Sequence, residues 1–378
     1  MDLNTFLATA TELLALPSTA DRPDQLRRAV DWVVDFVGPG FTVERFESAG
    51  KPSALLYADA HGGAARPASF RAILNAHLDV VSAEAEQFRA RIEGDRIYAR
   101  GAQDMKVTGL VQAQVFREVA PRLPYPLALQ LVADEEVGGR DGTLHQLEQG
   151  VTGEFVVIGE HSRLDIVADS KGLLHARLRA SGRGAHGAYP WLGDNAVLKL
   201  VNTVTRLLAT YPPVAEEAWR TTVNLSRIDT PNRAYNQVPA DAQAWLDIRF
   251  PAEDDRLNGR TMAEVAEFLV SFTEPGVSVQ VDHFDPPQHV DHDNRDVAEL
   301  RRAAQRQGYP SDFLRKHGAG DGGFYSGRGI AAVAFGVGGA GQHGPDEYAE
   351  ISTITPYYRA LKDFLERLRG ADEPGRHL

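Results

Sequence analysis

The stretch Ile73-Leu-Asn-Ala-His-Leu-Asp-Val-Val81 is an apolar run that is interrupted only by Asn75, His77 and Asp79. Such a run is typical of a strand buried on both faces of a parallel sheet. His77 and Asp79 are two residues apart, so their side chains should face the same way in a strand. A metal-bound imidazole needs a partner on its other nitrogen, which Asp79 could supply. The alternative is a core histidine beside a surface aspartate, and this pair alone does not decide between the two.

Helical and strand patterns alternate on both sides of this run. The expected elements are helices over 3–14, 26–37 and 106–120, a hairpin around 93–95, and strands over 72–81, 127–133 and 155–159. A chain in which strands alternate with helices forms a mainly parallel sheet that is covered by helices on both faces. We therefore predict an α/β fold for this part of the chain.

A second pattern begins near Lys171. Its expected elements are a strand over 173–180, a helix over 195–209, strands over 221–228 and 242–250, a helix over 262–272 and a strand over 277–281. This β-α-β-β-α-β order is that of a ferredoxin-like α+β unit. Afterwards the first pattern resumes, with a helix over 297–307, a strand over 331–336 and a helix over 356–368. We expect residues 170–286 to form a small domain inserted into a larger one made of 1–169 and 287–378, with a disordered tail from about Arg369.

Composition excludes several classes of function. The chain has 378 residues, 43% of them apolar, which is enough for one large and one small globular domain. A formal net charge of −12 argues against a nucleic-acid partner. Because the chain has no cysteine, only His, Asp and Glu are plausible metal ligands. The N-terminal residues lack the features of a signal peptide and no stretch is long enough to cross a membrane, so we expect a cytoplasmic protein without a membrane partner.

A row of carboxylates follows the expected strand over 127–133. Asp134, Glu135 and Glu136 are adjacent, and adjacent carboxylates repel one another unless a cation neutralises them. Neighbouring side chains point apart, so one glutamate could bind a metal while the other reaches a water molecule. This segment indicates a metal site.

Further candidate ligands lie at the ends of other elements. Glu160 ends the strand over 155–159, and His343 lies in a glycine-rich loop. Asp104 leads into a helix, where it could also be a simple cap. Parallel strands bring their C-terminal ends to one rim of a sheet. Two divalent ions about 3.5–4 Å apart need histidines, terminal carboxylates, a bridging carboxylate and one free carboxylate, and this set of residues supplies them.

Four motifs occur in order along the chain: His77-Leu-Asp-Val-Val81, Gly101-Ala-Gln-Asp-Met-Lys106, Asp134-Glu-Glu-Val-Gly-Gly139 and His343-Gly-Pro-Asp-Glu347. With these motifs, essentially the whole chain resembles the dinuclear zinc amidohydrolases of the succinyl-diaminopimelate desuccinylase, acetylornithine deacetylase, aminoacylase and carboxypeptidase G type. The resemblance implies two zinc ions per subunit, which cobalt or manganese could replace. It also implies that the larger domain is catalytic and that the inserted domain is a lid through which two subunits form a homodimer.

The resemblance further implies a role for each motif residue. By this resemblance Asp104 would bridge the two ions, His77 and Glu160 would bind one of them, and Glu136 and His343 would bind the other. Glu135 would act as general base and then as general acid, and Asp79 would orient His77.

In the inserted domain, the segment Ser181-Gly-Arg-Gly-Ala-His-Gly187 resembles the one that carries an oxyanion-stabilising histidine in this family. The resemblance gives that role to His186, which in the family often reaches the active site of the partner subunit. It gives binding of a substrate carboxylate to Asn236 and Arg249. The alternatives are a surface histidine for His186 and pairing with a surface acid for Arg249.

Two positions depart from the pattern of the family. His161 follows Glu160 where relatives commonly have proline, and Asp321 is not followed by the arginine that many relatives carry. Both departures are expected to affect substrate selection more than metal chemistry.

The expected function is therefore metal-dependent hydrolysis, by an activated water, of an amide bond in a small substrate that bears a carboxylate. N-acyl amino acids, dipeptides and peptides with a free C-terminal residue remain open as substrates, because the fold does not choose among them. One alternative is a catalytically silent metal- or ligand-binding protein on the same fold. Another is a dinucleotide-binding oxidoreductase, because Gly182-Arg-Gly-Ala-His-Gly187 matches a fingerprint by letter, but Pro190 follows where the helix should begin.

Overall fold

The apolar run that contains Ile73 forms a central strand of a nine-stranded sheet in the computed structural model, which describes residues 1–59 and 65–368. In sheet order the strands are β1 (Phe41–Ser48), β2 (Lys51–Ala58), β6 (Leu127–Val132), β3 (Ala72–His77), β7 (Phe155–Ile158), β15 (Ala331–Ala334), β8 (Ile166–Ser170) and β13 (Gln288–His289), with β14 (Phe313–Lys316) paired to β8. The four central strands β6, β3, β7 and β15 are parallel. The pairs β1–β2, β2–β6 and β15–β8 are antiparallel. The prediction of a mainly parallel sheet is confirmed for its centre.

Helices pack on both faces of this sheet, as predicted. The helices of this unit are α1 (Leu3–Leu14), α2 (Pro23–Val37), α3 (Val107–Val119), α4 (His145–Glu148), α7 (Arg295–Gln305), α8 (Gly322–Ser326) and α9 (Ile351–Arg367). Consecutive residues of β3 show the two faces: Leu74 packs in a core with α1, α2, α3, α7 and α9, whereas Ile73 packs in a core with α4 and α8. The alternation follows from the two-residue period of a strand.

Several predicted boundaries were wrong, two of them in the larger sheet unit by four residues or more. β3 ends at His77 and does not continue to Val81. The last helix begins at Ile351, five residues before the expected start at Pro356, which lies inside it. Ile351 and Ile354 are buried in the core, and this burial extends the helix ahead of the proline.

The chain divides into two compact units, and the sheet described above belongs to the larger one, Met1–Asp169, His289–Arg315 and Gly320–Leu378. That unit also has a small sheet of β16 (Gly339–Ala340), β17 (Tyr348–Glu350), β5 (Arg96–Tyr98) and β4 (Arg91–Glu93). The expected hairpin around 93–95 connects β4 to β5, with Gly94 at a positive φ of 58°. The tail expected to be disordered, from Arg369, lies outside the described residues.

The smaller unit comprises Ser170–Gln288 and Lys316–Ala319. Its elements are β9 (Gly172–Ser181), α5 (Ala196–Thr210), β10 (Thr222–Asp229), β11 (Asp241–Phe250), α6 (Met262–Val270) and β12 (Val277–Asp285). The sheet order β10-β11-β9-β12 is the ferredoxin-like arrangement that was predicted. Both helices begin at capping side chains: Asn195 accepts from the backbone N–H of Leu198, and Thr261 accepts from that of Glu264.

Within the described ranges, no helix combines the length and the apolarity needed to cross a bilayer.

Candidate metal centre

The parallel register of the central strands brings the predicted ligands together. His77, the last residue of β3, pairs with Val132 of β6, and Asn75 pairs with Ile158 of β7. The chain that leaves β6 reaches Glu135 three residues later, and the chain that leaves β7 reaches Glu160 two residues later. The C-terminal ends of three neighbouring strands therefore deliver an imidazole and carboxylates to one rim of the sheet, as the sequence predicted.

His77 is the centre of one group of contacts. Its Nε2 atom lies 2.9 Å from Oδ1 of Asp104 and 3.2 Å from Oε1 of Glu160. Its Nδ1 atom lies 3.1 Å from the backbone oxygen of Asp79 and 3.5 Å from a carboxylate oxygen of the same residue. The His77 side chain is only 1% exposed, so the surrounding strand ends fix its position.

His343 is the centre of a second group. Its Nε2 atom lies 3.3 Å from Oδ2 of Asp104 and 3.1 Å from Oε2 of Glu136. The side chain of Gln342 donates to the same Asp104 oxygen at 2.6 Å. Asp104 thus presents one oxygen to each histidine, as a bridging carboxylate must. The interpretation of Asp104 as a helix cap is wrong, because the residue that precedes α3 is Lys106 and it makes no side-chain cap.

Asp79 supports this centre in a way that the sequence did not indicate. Its two carboxylate oxygens accept hydrogen bonds from the backbone N–H groups of Glu135, at 3.2 Å, and Glu136, at 3.0 Å. The contact with His77 is shorter through the backbone oxygen than through the carboxylate. Asp79 therefore positions the loop that carries both glutamates as well as the imidazole.

The carboxylates outnumber the positive charges in this centre. Burial raises the pKa of the Glu135 carboxyl well above its ordinary value, and the nearby carboxylates of Glu160 and Asp321 raise it further. Burial also raises the pKa of Glu136 to about 7, with a further contribution from Asp104. Groups that resist ionisation in this way need an added cation. The donor set of imidazole nitrogens and carboxylate oxygens fits zinc or a similar divalent ion.

Asp104 shows the opposite shift. Burial acts to raise its pKa, but hydrogen bonds with His343 and His77 hold the pKa of its carboxyl well below the ordinary value. Burial acts to lower the pKa of His77, but its carboxylate partners raise it well above the ordinary value. Protonated histidines therefore neutralise part of the centre, and binding of a metal in their place would release protons.

Among the residues that the structure describes, three sets of side chains have donor atoms that all lie within 4.8 Å of one another. These sets are His77 with Glu135 and Glu160, Asp104 with Glu136 and His343, and Asp104 with Glu160 and His161. The first two unite the residues that the motifs predicted. The third adds His161, which we expected to affect substrate selection more than metal chemistry.

A buried ion pair behind the centre was not predicted. Arg100 donates to Oε2 of Glu347 at 2.6 Å and to the backbone oxygens of His343 and Gly344 at 3.0 and 3.1 Å. The other Glu347 oxygen accepts from the backbone N–H of Asp104 at 3.1 Å. Both partners are almost fully buried, and together they tie the loop that carries His343 to the segment that carries Asp104. Glu347 belongs to a recognised motif, which was the only signal of this role.

The remaining predicted residues lie in the smaller unit. His186 is exposed, and its Nδ1 atom accepts from the backbone N–H of Ala188 at 3.1 Å. The backbone oxygen of the exposed Asn236 accepts from Gly187 at 2.7 Å, so this residue lies beside the His186 segment. Arg249 makes a two-pronged contact with Asp247, at 2.7 and 3.1 Å. That contact is the alternative that we had considered for Arg249, and its role in substrate binding stays a prediction.

Comparison with known proteins identifies the family. Residues 73–367 match the profile of Peptidase family M20/M25/M40. The chain belongs to this family. The family resemblance seen in the four motifs is thereby confirmed, and membership of a peptidase family agrees with the predicted class, a hydrolase of C–N bonds.

Proteins similar to this chain include a probable carboxypeptidase and a desuccinylase. The chain is 33% identical over 273 residues to a probable carboxypeptidase of Aspergillus terreus, a match that covers 65% of this chain and 60% of that protein. It is 30% identical over 315 residues to a succinyl-diaminopimelate desuccinylase of Granulibacter bethesdensis, covering 76% and 81%. The match spans less than two thirds of the fungal carboxypeptidase relatives, 60% of one and 38% of another.

Solved structures share the fold. Aminopeptidase PepT from Bacillus cereus superposes with a TM-score of 0.78 at 16% identity, covering 97% of this chain and 99% of that one. An M20 family metallo-carboxypeptidase, Sso-CP2 from Sulfolobus solfataricus, superposes with a TM-score of 0.74 at 18% identity and the same coverage. At such identities the likeness extends to the fold alone.

Proposed function

We propose that this protein is a dinuclear metallo-amidohydrolase that cleaves a C–N bond in a small substrate bearing a carboxylate. The observation that carries the proposal is the position of Asp104, whose two oxygens face two separate histidines, each with a further glutamate beside it. His77 and Glu160 would hold one ion and Glu136 and His343 the other, with Asp104 between them. Zinc is the metal that this donor set favours, with cobalt or manganese as substitutes.

Bound divalent ions lower the pKa of a water molecule and stabilise an oxyanion. Glu135 is the carboxylate of the centre that the proposed ligand assignment leaves available for proton transfer. It belongs to the same donor group as His77 and Glu160, so it can take a proton from water and return it to the leaving nitrogen. Burial raises the pKa of its carboxyl well above the ordinary value, and the positive charge of bound metal would favour the ionised form that accepts a proton.

The names of the relatives support the substrate class. A carboxypeptidase and a succinyl-diaminopimelate desuccinylase both break a C–N bond in a substrate that carries a carboxylate. We propose N-acyl amino acids or short peptides for this chain. His186 would stabilise the oxyanion, and Asn236 and Arg249 would bind the substrate carboxylate. For Arg249 this requires that the substrate compete with Asp247. We further propose a cytoplasmic homodimer that forms through the smaller unit.

A substrate screen tests the activity. The zinc- or cobalt-loaded protein is incubated with N-acetyl, N-succinyl and N-carbamoyl amino acids and with dipeptides, and products are detected by mass spectrometry. We expect cleavage that EDTA abolishes and that added zinc restores. A protein that binds two ions but cleaves none of the panel would instead support the catalytically silent alternative.

Substitution Glu135→Gln separates catalysis from metal binding. The variant keeps the size of the side chain but cannot accept a proton from water, so we expect turnover to fall by two to four orders of magnitude, about the usual contribution of general acid–base catalysis. The metal content of the variant, measured by elemental mass spectrometry, should be the same as that of the parent protein. Undiminished turnover would show that Glu135 is not the base.

A further inference from the structure

The histidine that follows Glu160 lies within reach of the metal centre. His161 comes three residues after the end of β7, and its Nδ1 atom lies 3.6 Å from Oε2 of Glu160. The other oxygen of Glu160, Oε1, lies 3.2 Å from His77. Glu160 therefore lies between two imidazoles, and the proposed ligand assignment uses only that of His77.

The donor geometry of His161 matches that of a ligand. Donors about 2.0–2.2 Å from a tetrahedral zinc ion lie roughly 3.3–3.6 Å from one another. The Nδ1 atom of His161 lies 3.6 Å from Oε2 of Glu160. His161, Glu160 and Asp104 each offer one donor atom that lies within 4.8 Å of the donor atoms of the other two. His77 contacts both of these carboxylates, at 2.9 and 3.2 Å.

We propose that His161 is an additional nitrogen ligand on the His77 side of Asp104. This inference rests on the proposed dinuclear site and adds a fourth protein donor to His77, Asp104 and Glu160. The side chain is 19% exposed, so packing restrains it while leaving its ring close to the centre. The position on the other side has three protein donors, Asp104, Glu136 and His343.

The extra donor makes the two positions unequal. A zinc site with four protein ligands has the closed coordination of structural sites, whereas a site with three keeps an open position for water or substrate. The His77 position is therefore the tighter of the two, and it is richer in nitrogen. His161 accordingly acts on metal affinity and coordination, in contrast to the role in substrate selection that the sequence suggested.

Cadmium NMR of protein labelled with nitrogen-15 in histidine tests this assignment directly. With both positions filled by cadmium, coupling between metal and nitrogen reports each bound imidazole. We expect coupled signals from His77, His161 and His343, with both His77 and His161 on one cadmium. In the His161→Ala variant one coupled signal should disappear and the other two should remain.

A chelator competition with zinc gives a second measurement. Loss of a ligand should weaken one of the two zinc positions by about ten- to a hundredfold or more, since even changes behind a ligand cost that much. The matched control is His292→Ala, because His292 also contacts a buried carboxylate, Asp169, at 3.2 Å and is absent from the three donor sets. The control should bind both zinc ions like the parent.

The outcomes separate this inference from the proposed function. Coupling to His77 and His343 without coupling to His161 in the parent protein, which needs no substitution, would overturn the role of His161 and leave the dinuclear site standing. Absence of any bound cadmium or zinc in the parent would overturn the proposed function itself. Unchanged zinc affinities in a folded His161→Ala variant would also refute the additional ligand.

Discussion

The two sides of Asp104 are built by different parts of the larger unit. On one side, His77 ends a buried strand, and its side chain is 1% exposed. On the other, His343 lies on a glycine-rich loop with a positive φ of 60°, and its side chain is 49% exposed. The sheet itself fixes the position of His77, whereas the position of His343 depends on the contacts that hold its loop. Two ligands of the same type can therefore differ in rigidity because of where the fold places them.

The sharpest test of this difference substitutes each histidine in turn. His77→Ala removes a buried side chain and its contacts with Asp104 and Glu160, so we expect a clear loss of stability, about 2–4 kcal/mol, together with loss of metal. His343→Ala removes a half-exposed side chain, and we expect little change in stability, within about 0.5 kcal/mol, with loss of one ion. Chemical denaturation of metal-free protein and metal analysis measure the two quantities. Equal destabilisation by both substitutions would contradict the comparison.

The Arg100–Glu347 ion pair offers a test of the loop side alone. Glu347→Gln keeps the shape but weakens the bond to Arg100, which holds the backbone of His343 and Gly344. We expect the affinity of the His343 position to fall about ten- to a hundredfold, as for other residues that orient ligands, while the His77 position keeps its affinity. Zinc titration against a chelator measures both.

A matched control for this substitution is Glu350→Gln. Glu350 pairs with Arg163 at 2.9 Å, and that arginine is 63% exposed. An exposed pair of this kind contributes little, so the control should bind zinc like the parent. If Glu347→Gln and Glu350→Gln behaved alike, the buried pair would have no special role in the loop.

Much of the central architecture was predictable because buried parallel strands have a strong sequence signature. The apolar runs around Leu74, Leu129 and Val156 predicted strands that the structure contains. The antiparallel strands β1 and β2 were missed, although Phe41–Ser48 alternates in burial near its end, and so was the short strand β8. The pattern of β1 is weaker because the strand is half-exposed, and that of β8 because the strand is short, whereas β2 is buried along almost its whole length.

The candidate ligands could be predicted from the sequence, and the residues that hold them in place could not. Asp104 and Glu136 belong to local motifs that can be read along the chain. The bond between Arg100 and Glu347 joins residues 247 positions apart, and the approach of His161 to Asp104 depends on how two loops fold back. No local sequence pattern indicates such contacts, because the residues between the two partners do not determine whether the partners meet.

A final test concerns Asp321, a carboxylate that lies against the loop carrying Glu135 and Glu136. Asp321 accepts a hydrogen bond from Thr143, and it lies so close to Gly139 that a Cβ atom there would be 2.2 Å from its oxygen. Burial, together with the nearby carboxylate of Asp134, raises the pKa of Asp321 from 3.8 to about 8.

A group whose pKa is raised by folding stabilises the protein at low pH and loses this effect as the pH rises through the folded value. For metal-free protein we therefore expect the contribution of Asp321 to the free energy of unfolding to fall between about pH 4 and pH 8, by at most about 1.4 kcal/mol per pH unit. Asp321→Asn can still accept from Thr143 but does not titrate, so its stability should depend less steeply on pH in that window. Denaturant unfolding at several pH values measures the slopes, and parallel curves for the two proteins would mean that Asp321 is ionised without penalty. Because this loop supplies a proposed ligand, Glu136, only to the His343 side, any change in the zinc affinity of the variant should appear on that side and leave the His77 side unchanged.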